Sequence, residues 1–374
     1  MTINNTITTK HTFGHQNMET KKKVTMQDVA KKAGVSYQTV SRVLNNSCNV
    51  SPSTKEKIEQ AIADLKYVPN LLAQELAKKE RKVLGIISTA VLSQASVDVA
   101  ASVRRYAMNS GYSVDFSLLD NHNYDGIQEV LLEMRSRLIT KVIINVPVDS
   151  ADAIKLTADN TDITILFVDV DPYCPVLNVT FNPSDGTLFS VSHLRQLGHQ
   201  KIALLAGPEG LSSSDSRLKC WREGLKINNL EEVCLFRGDW SAQSGYLATV
   251  KMLRDYHDFT AILVANDQMA LGAISALQQA NKSVPEDISV IGYDDYADSA
   301  YYIPSLTSVH LDRDLQCKLA VEKLIKDDKA VVSSVLPTTL VVRKSTDKVN
   351  GNRKDLKALT KALRDAASIL ESKF

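Results

Sequence analysis

The sequence predicts an α/β protein in three unequal parts: a small all-α head, a large two-lobed body of doubly wound parallel sheets, and a terminal helix. Three observations predict it. Residues 25–66 hold three short helical patterns separated by cap and glycine signals. From Val83 to about Thr346, short apolar runs alternate with helical stretches, as in successive βαβ units. Beyond residue 350, leucines recur every seven positions. With 374 residues, 44% apolar and 23% charged, the chain can bury more than one core, which excludes a disordered tail protein, a collagen-like fibre and a disulfide-stapled miniature domain.

The first 82 residues hold 14 Lys and Arg against seven Asp and Glu, whereas the rest hold 30 against 36. A basic head on an acidic body implies a nucleic-acid-binding arm on a differently employed domain. Residues 1–23 are polar and lack an apolar signal segment; they read as a disordered extension, either inert or adding weak phosphate attraction through Lys21–Lys23.

Within the head, residues 24–69, Thr25 caps a first helix with Asp28 three residues on, and Gly34 ends it. Ser36 caps a second over Tyr37–Asn45, with Val40, Val43 and Leu44 inward; Ser51 and Pro52 open a third carrying Ile58, Ile62 and Leu65. Two helices joined through a glycine turn spell helix-turn-helix. The apolar positions fill the inner face of the second helix, so Tyr37, Gln38, Ser41 and Arg42 face outward. Gln and Arg match base edges in the major groove. Thr39, Asn45 and Thr54 suit phosphate oxygens, and the cap residues Thr25 and Ser36 complete the candidate set on this face. An ordinary solvated face is the alternative for any one of them alone.

In the body, V-L-G-I-I-S, V-D-F-S-L-L, K-V-I-I-N-V-P, I-T-I-L-F-V-D-V, K-I-A-L-L-A-G, A-I-L-V-A-N-D and I-S-V-I-G-Y-D-D read as buried strands, with a second series starting near Asn182. Two lobes then face each other across a cleft. Asn145, Asp169, Asn266 and Asp294 stand at strand ends, where open α/β sheets bind ligands; Arg217 and Trp240 come from loops or helix starts. Carboxylates and amides for vicinal hydroxyls, an arginine fork and an aromatic plate make a sugar site. Asp267 and Asp295 read equally well as helix caps.

Five scattered cysteines without a CxxC pair suggest reduced thiols in a cytoplasmic protein, and no apolar run is long enough to span a membrane. The seven histidines lack metal-ligand spacing, and no P-loop, nucleophile elbow, HExxH or dinucleotide fingerprint is present. A cofactor-free, metal-free binder is expected rather than an enzyme, although paired cleft carboxylates could in principle hydrolyse a glycoside.

The run from Thr25 to Asn45, T-M-Q-D-V-A-K-K-A-G-V-S-Y-Q-T-V-S-R-V-L-N, resembles the headpiece of the lactose-repressor family of bacterial regulators. The resemblance continues through Y-V-P-N, A-G-P, D-W-S-A, V-A-N-D-Q-M-A-L-G, I-S-V-I-G-Y-D-D and Y-Y-I-P into the tail. It implies a periplasmic-binding-protein-like body over 83–349, with lobe 1 at about 83–181 and 312–346 and lobe 2 at about 182–311. It implies that residues 70–82 form a hinge helix and linker, placing Asn70, Ala73 and Leu76 in the minor groove of operator DNA, with Leu76 as the apolar wedge. It implies a homodimer on a palindromic operator, released by a sugar held by Asn145, Asp169, Arg217, Trp240, Asn266 and Asp294; a ligand that instead strengthens DNA binding is the family alternative. The helix at 355–374, with Leu356, Leu363 and Leu370 in register, would join two dimers into a homotetramer or dock on its own body. Five departures stand out: Leu71 replaces an expected basic residue, Ser93 and Ser96 replace larger apolar groups, and Leu311 and Arg313 replace an amide and an aromatic ring.

Overall fold

A computed structural model describes residues 24–44, 50–68, 81–89, 94–119, 123–326 and 333–349. The chain divides into two compact units near residue 80. The expectations for residues 1–23, Asn45, Asn70, Leu71, Ala73, Leu76, Ser93 and the helix at 355–374 lie outside the described residues.

The first unit holds α1 (Met26–Ala33), α2 (Tyr37–Leu44) and α3 (Pro52–Leu65). Their ends are fixed by local chemistry. The Thr25 hydroxyl accepts from the Asp28 amide while the Asp28 carboxylate accepts from the Thr25 amide, a complete capping box. Gly34 closes α1 in the left-handed region at φ 67°. Ser36 accepts from the Thr39 amide and Ser51 from the Thr54 amide, with Pro52 at the first helical position of α3. Val29, Val40, Val43, Ile58, Ala61 and Tyr67 form the small core between the helices.

The second unit contains two six-stranded sheets. Strands β1 (Val83–Thr89), β2 (Ser113–Leu119), β3 (Lys141–Asn145), β4 (Thr164–Phe167) and β5 (Asn178–Phe181) belong to the first, and β6 (Lys201–Ala206), β7 (Glu231–Arg237), β8 (Ala261–Val264), β9 (Ser289–Asp294) and β10 (Thr307–His310) to the second. The chain then returns β11 (Ser333–Leu336) to the first sheet and β12 (Thr339–Val341) to the second. The orders are β11-β5-β4-β3-β1-β2 and β12-β10-β9-β8-β6-β7, parallel throughout except for the antiparallel β10–β12 pair. Between the strands run α4 (Gln94–Asn109), α5 (Tyr124–Ser136) and α6 (Ser150–Asp159) in lobe 1, and α7 (Pro183–Gln196), α8 (Ser212–Ile227), α9 (Ala242–Asp255) and α10 (Asp267–Gln279) in lobe 2. Helix α11 (Arg313–Lys326) crosses back to pack on α4 and β5.

The second series of strands starts after Asn182 as expected, and Asn182 caps α7. One boundary is corrected. Only the segment up to Leu336 returns to lobe 1; residues 339–346, expected there, lie on lobe 2. Pro337 cannot donate to a ladder and ends β11, after which β12 pairs with the open edge of β10 and Ser345 bonds the Val290 carbonyl. Strands β5, β7, β10, β11 and β12 are additional to the seven that the sequence pattern predicts.

Candidate ligand cleft and nucleic-acid interface

Helix α2 presents the face expected of a reader. Tyr37 is 53% exposed, Gln38 and Arg42 are exposed, and Ser41 is partly so, while Val40 and Val43 are buried behind them. Thr39 and Thr54 share short hydroxyl contacts of 2.8 Å with their caps Ser36 and Ser51. Thr25, Ser36 and Ser51 therefore sit at the amide-rich starts of three helices, where anions are favoured.

In the second unit, one cavity of about 400 Å³ lies between the lobes, and all six candidate cleft residues line it although they span 150 positions of chain. Each arrives by a definite route. Asn145 ends β3 and donates to the Ser88 hydroxyl at 3.1 Å; Asp169 follows β4. Asn266 caps α10, accepting from the Met269 amide, and donates to the Trp240 carbonyl, both at 2.9 Å. Trp240 sits in the turn before α9 at φ 77°, and a Cβ on Gly207 would fall 2.3 Å from its ring, so only glycine lets the indole lie there. Asp294 ends β9 at φ 108°, outside the regions open to ordinary L-residues. Such backbone costs about 1–3 kcal/mol per residue and clusters at functional sites.

Charge is concentrated on Asp294. Its Oδ1 accepts from Arg313 Nη2 at 2.8 Å and faces Arg217 Nη2 at 3.8 Å. Arg217 also donates to the Ala265 carbonyl, and its guanidinium lies 3.7 Å from the Tyr293 ring centroid and 5.6 Å from that of Trp240. Burial pushes the Asp169 carboxyl above its ordinary range against the pull of Arg217 and Arg313. Burial opposes the charge on Arg313, yet Asp294, Tyr296 and Asp169 hold its guanidinium above the usual value.

Asp267, which the sequence left as a cap, supports the site from behind. Its fully buried carboxylate accepts from the Tyr296 amide at 3.0 Å and from the Ser299 and Ser308 hydroxyls at 2.5 Å, and burial with nearby Asp294 pushes it up to about 7. Asp295 pairs with His310 and Arg343 instead. Tyr293 and Tyr296 also line the cavity. Tyr293 carries no signal in the sequence, because an aromatic inside a buried strand looks like core. Ser96 and Leu311 line the cavity where the departures from the family pattern placed them. Among the described residues no cluster of His, Cys, Asp and Glu could hold a metal, and no helix is long and apolar enough to cross a membrane.

Residues 25–70 match the bacterial regulatory proteins of the lacI family, and residues 191–346 match a periplasmic binding protein-like domain. The chain is 40% identical to the lactose operon repressor of Escherichia coli K12 over 349 residues, covering 92% of this chain and 97% of that one. It is 41% identical to the lactose operon repressor of Klebsiella pneumoniae, covering 86% and 92%. The crystal structure of the lac repressor dimer bound to operator and the anti-inducer ONPF superposes with a TM-score of 0.84 at 41% identity, covering 87% of this chain and all of that one. A helix-turn-helix head, a two-lobed body and this extent of identity together place the chain in the lacI family of bacterial regulatory proteins, as a DNA-binding transcriptional repressor.

Proposed function

We propose that the protein represses a sugar-utilisation operon in the cytoplasm and is released from a palindromic operator by a sugar held between its lobes. Tyr37, Gln38, Ser41 and Arg42 read base edges, and Thr25, Ser36, Thr39, Asn45 and Thr54 contact phosphates. Asn70, Ala73 and Leu76 enter the minor groove from paired hinge helices. Asn145, Asp169, Arg217, Trp240, Asn266 and Asp294 hold the sugar. The observation that carries the effector role is the convergence of these six residues, scattered through the sequence, on one interlobe cavity, with two of them, Trp240 and Asp294, at strained backbone positions. The names of the two lactose operon repressors support a galactoside ring as the effector class.

The protein acts as a homodimer, and residues 355–374 join two dimers into a tetramer that holds two operators and gains avidity through effective concentration. Coupling between the sites is reciprocal: a sugar that weakens operator binding by some factor is itself bound more weakly by that factor on DNA. Fluorescence anisotropy of a palindromic operator, titrated with protein at two salt concentrations with and without galactosides, tests the reading. Tight, salt-sensitive binding relieved by sugar is expected. Binding strengthened by sugar would make the ligand a corepressor, and loss of residues 1–82 with no loss of operator affinity would refute the headpiece assignment.

A further inference from the structure

Arg313 is the residue of the cleft least expected from the family pattern, and its surroundings define what it does. It starts α11 on lobe 1 and reaches Asp294 on lobe 2. Two guanidiniums, Arg217 and Arg313, converge on one oxygen of one carboxylate. The other deep carboxyl, Asp169, makes no ion pair with either of them within 4.0 Å, and its pKa is pushed up by burial. Arg313 Nε is enclosed without an acceptor although the side chain as a whole remains 20% exposed and lines the cavity. The rim carboxylates are spent on turns: Asp171 accepts from the Tyr173 amide and Asp239 from the Ser241 amide and hydroxyl. The floor of the cleft therefore sets two guanidiniums on one carboxylate oxygen and leaves the Arg313 Nε–H without an acceptor, within a low-dielectric wall that includes Tyr293, Val168 and Leu311. A planar fork in that state is suited to a carboxylate or phosphate, which it can take bidentately.

We infer that the effector is an anionic sugar, a ring bearing a carboxylate or a phosphate, and that Arg313 selects it over the neutral sugar. This rests on the reading of the cleft as an effector site. The anion takes the place of Asp294 as the partner of Arg313, which frees the Asp294 carboxylate to accept from ring hydroxyls. One group thus both partners the Arg313 fork and unlocks a sugar contact. The interlobe ion pair is broken in the same act, so ligand charge is linked to lobe arrangement.

Isothermal titration of the full chain with galactose, galacturonate and galactose 6-phosphate, paired with operator anisotropy in the same sugars, tests the inference. At least one anionic sugar is expected to bind about tenfold or more tightly than galactose, with a preference that shrinks as salt rises, and to release the operator. The preferences for galacturonate and for galactose 6-phosphate separate the carboxylate from the phosphate. In Arg313→Gln the preference collapses towards unity, and Arg313→Lys keeps part of it by retaining charge without the fork. A neutral galactoside that binds as tightly as the anionic sugars and releases the operator would overturn the inference while leaving the effector reading intact. A preference for anionic sugars that survives in Arg313→Gln would overturn the role of Arg313. Failure of every sugar to bind would overturn both readings together.

Discussion

Asp294→Asn is the most informative single change in the body. The carboxylate is only 5% exposed and its partners Arg217 and Arg313 are 11% and 20% exposed, so its removal leaves two guanidiniums with little solvent to compensate them. Losing one member of a buried ion pair costs about 3–5 kcal/mol. Asparagine keeps an acceptor at the position of Oδ1, which places the expected cost near the lower end, about 3 kcal/mol. For a body of this size that corresponds to a fall in Tm of about 6–12 °C. The assay is denaturant or thermal unfolding of the wild type, Asp294→Asn, Arg313→Gln and the double variant. Arg313→Gln removes one of the two stranded charges, so the double variant should recover about 1–2 kcal/mol relative to the sum of the single effects. Additivity of the two changes to within about 0.5 kcal/mol would refute the view that these groups form one electrostatic unit.

Three further outcomes are expected. Gly207→Ala forces the Trp240 ring to move, because the new Cβ would lie 2.3 Å from it; effector affinity measured by titration should fall about tenfold, with operator affinity in the absence of sugar unchanged. Gln38→Ala should relax specificity at one operator base pair by about 1–3 kcal/mol, whereas Lys→Ala changes elsewhere in the head weaken all DNA about equally. Burial between Thr260, Ser289 and the Asp347 carbonyl pushes the His199 imidazole down to about 4, below its ordinary 6.5. Its contribution to stability is therefore complete above about pH 6.5 and lost as pH falls towards 4; unfolding measured across that range in wild type and His199→Gln should show the variant with the shallower acid loss.

Much of the fold was legible because its signals are local. Capping residues Thr25, Ser36 and Ser51 announce the head, and the near-continuous apolar runs of β1, β3, β6, β8 and β9 announce strands buried on both faces. The strands that escaped notice lack that run. N-V-T-F in β5 and S-S-V-L in β11 mix polar and apolar residues, and E-E-V-C-L-F-R in β7 is only half-buried at an edge. Their strand character comes from the partner they pair with, which no local window contains. The cleft divides the same way. A polar residue at the end of an apolar strand, as at Asn145 or Asp294, is visible in sequence. The stacking of Arg217 on Tyr293, the burial of Asp267 behind Tyr296 and the reach of Arg313 to Asp294 are products of tertiary placement.

Among the described residues the chain passes from one sheet to the other three times, after β5, after β10 and between β11 and β12. Two of these passages are stitched together: the Asn182 amide donates to the Leu336 carbonyl at 2.8 Å, and the Thr338 hydroxyl donates to the Asn182 carbonyl and accepts from the Gly186 amide. A single strand between two bodies acts as a swivel, free to rotate about any axis. Three strands with two of them laced form a hinge pin, which resists twist and sideways slip and leaves opening and closing as the easy coordinate. Whatever occupies the cleft then acts on one mechanical degree of freedom, so ligands of different size and charge can differ in how far they move it but not in its direction.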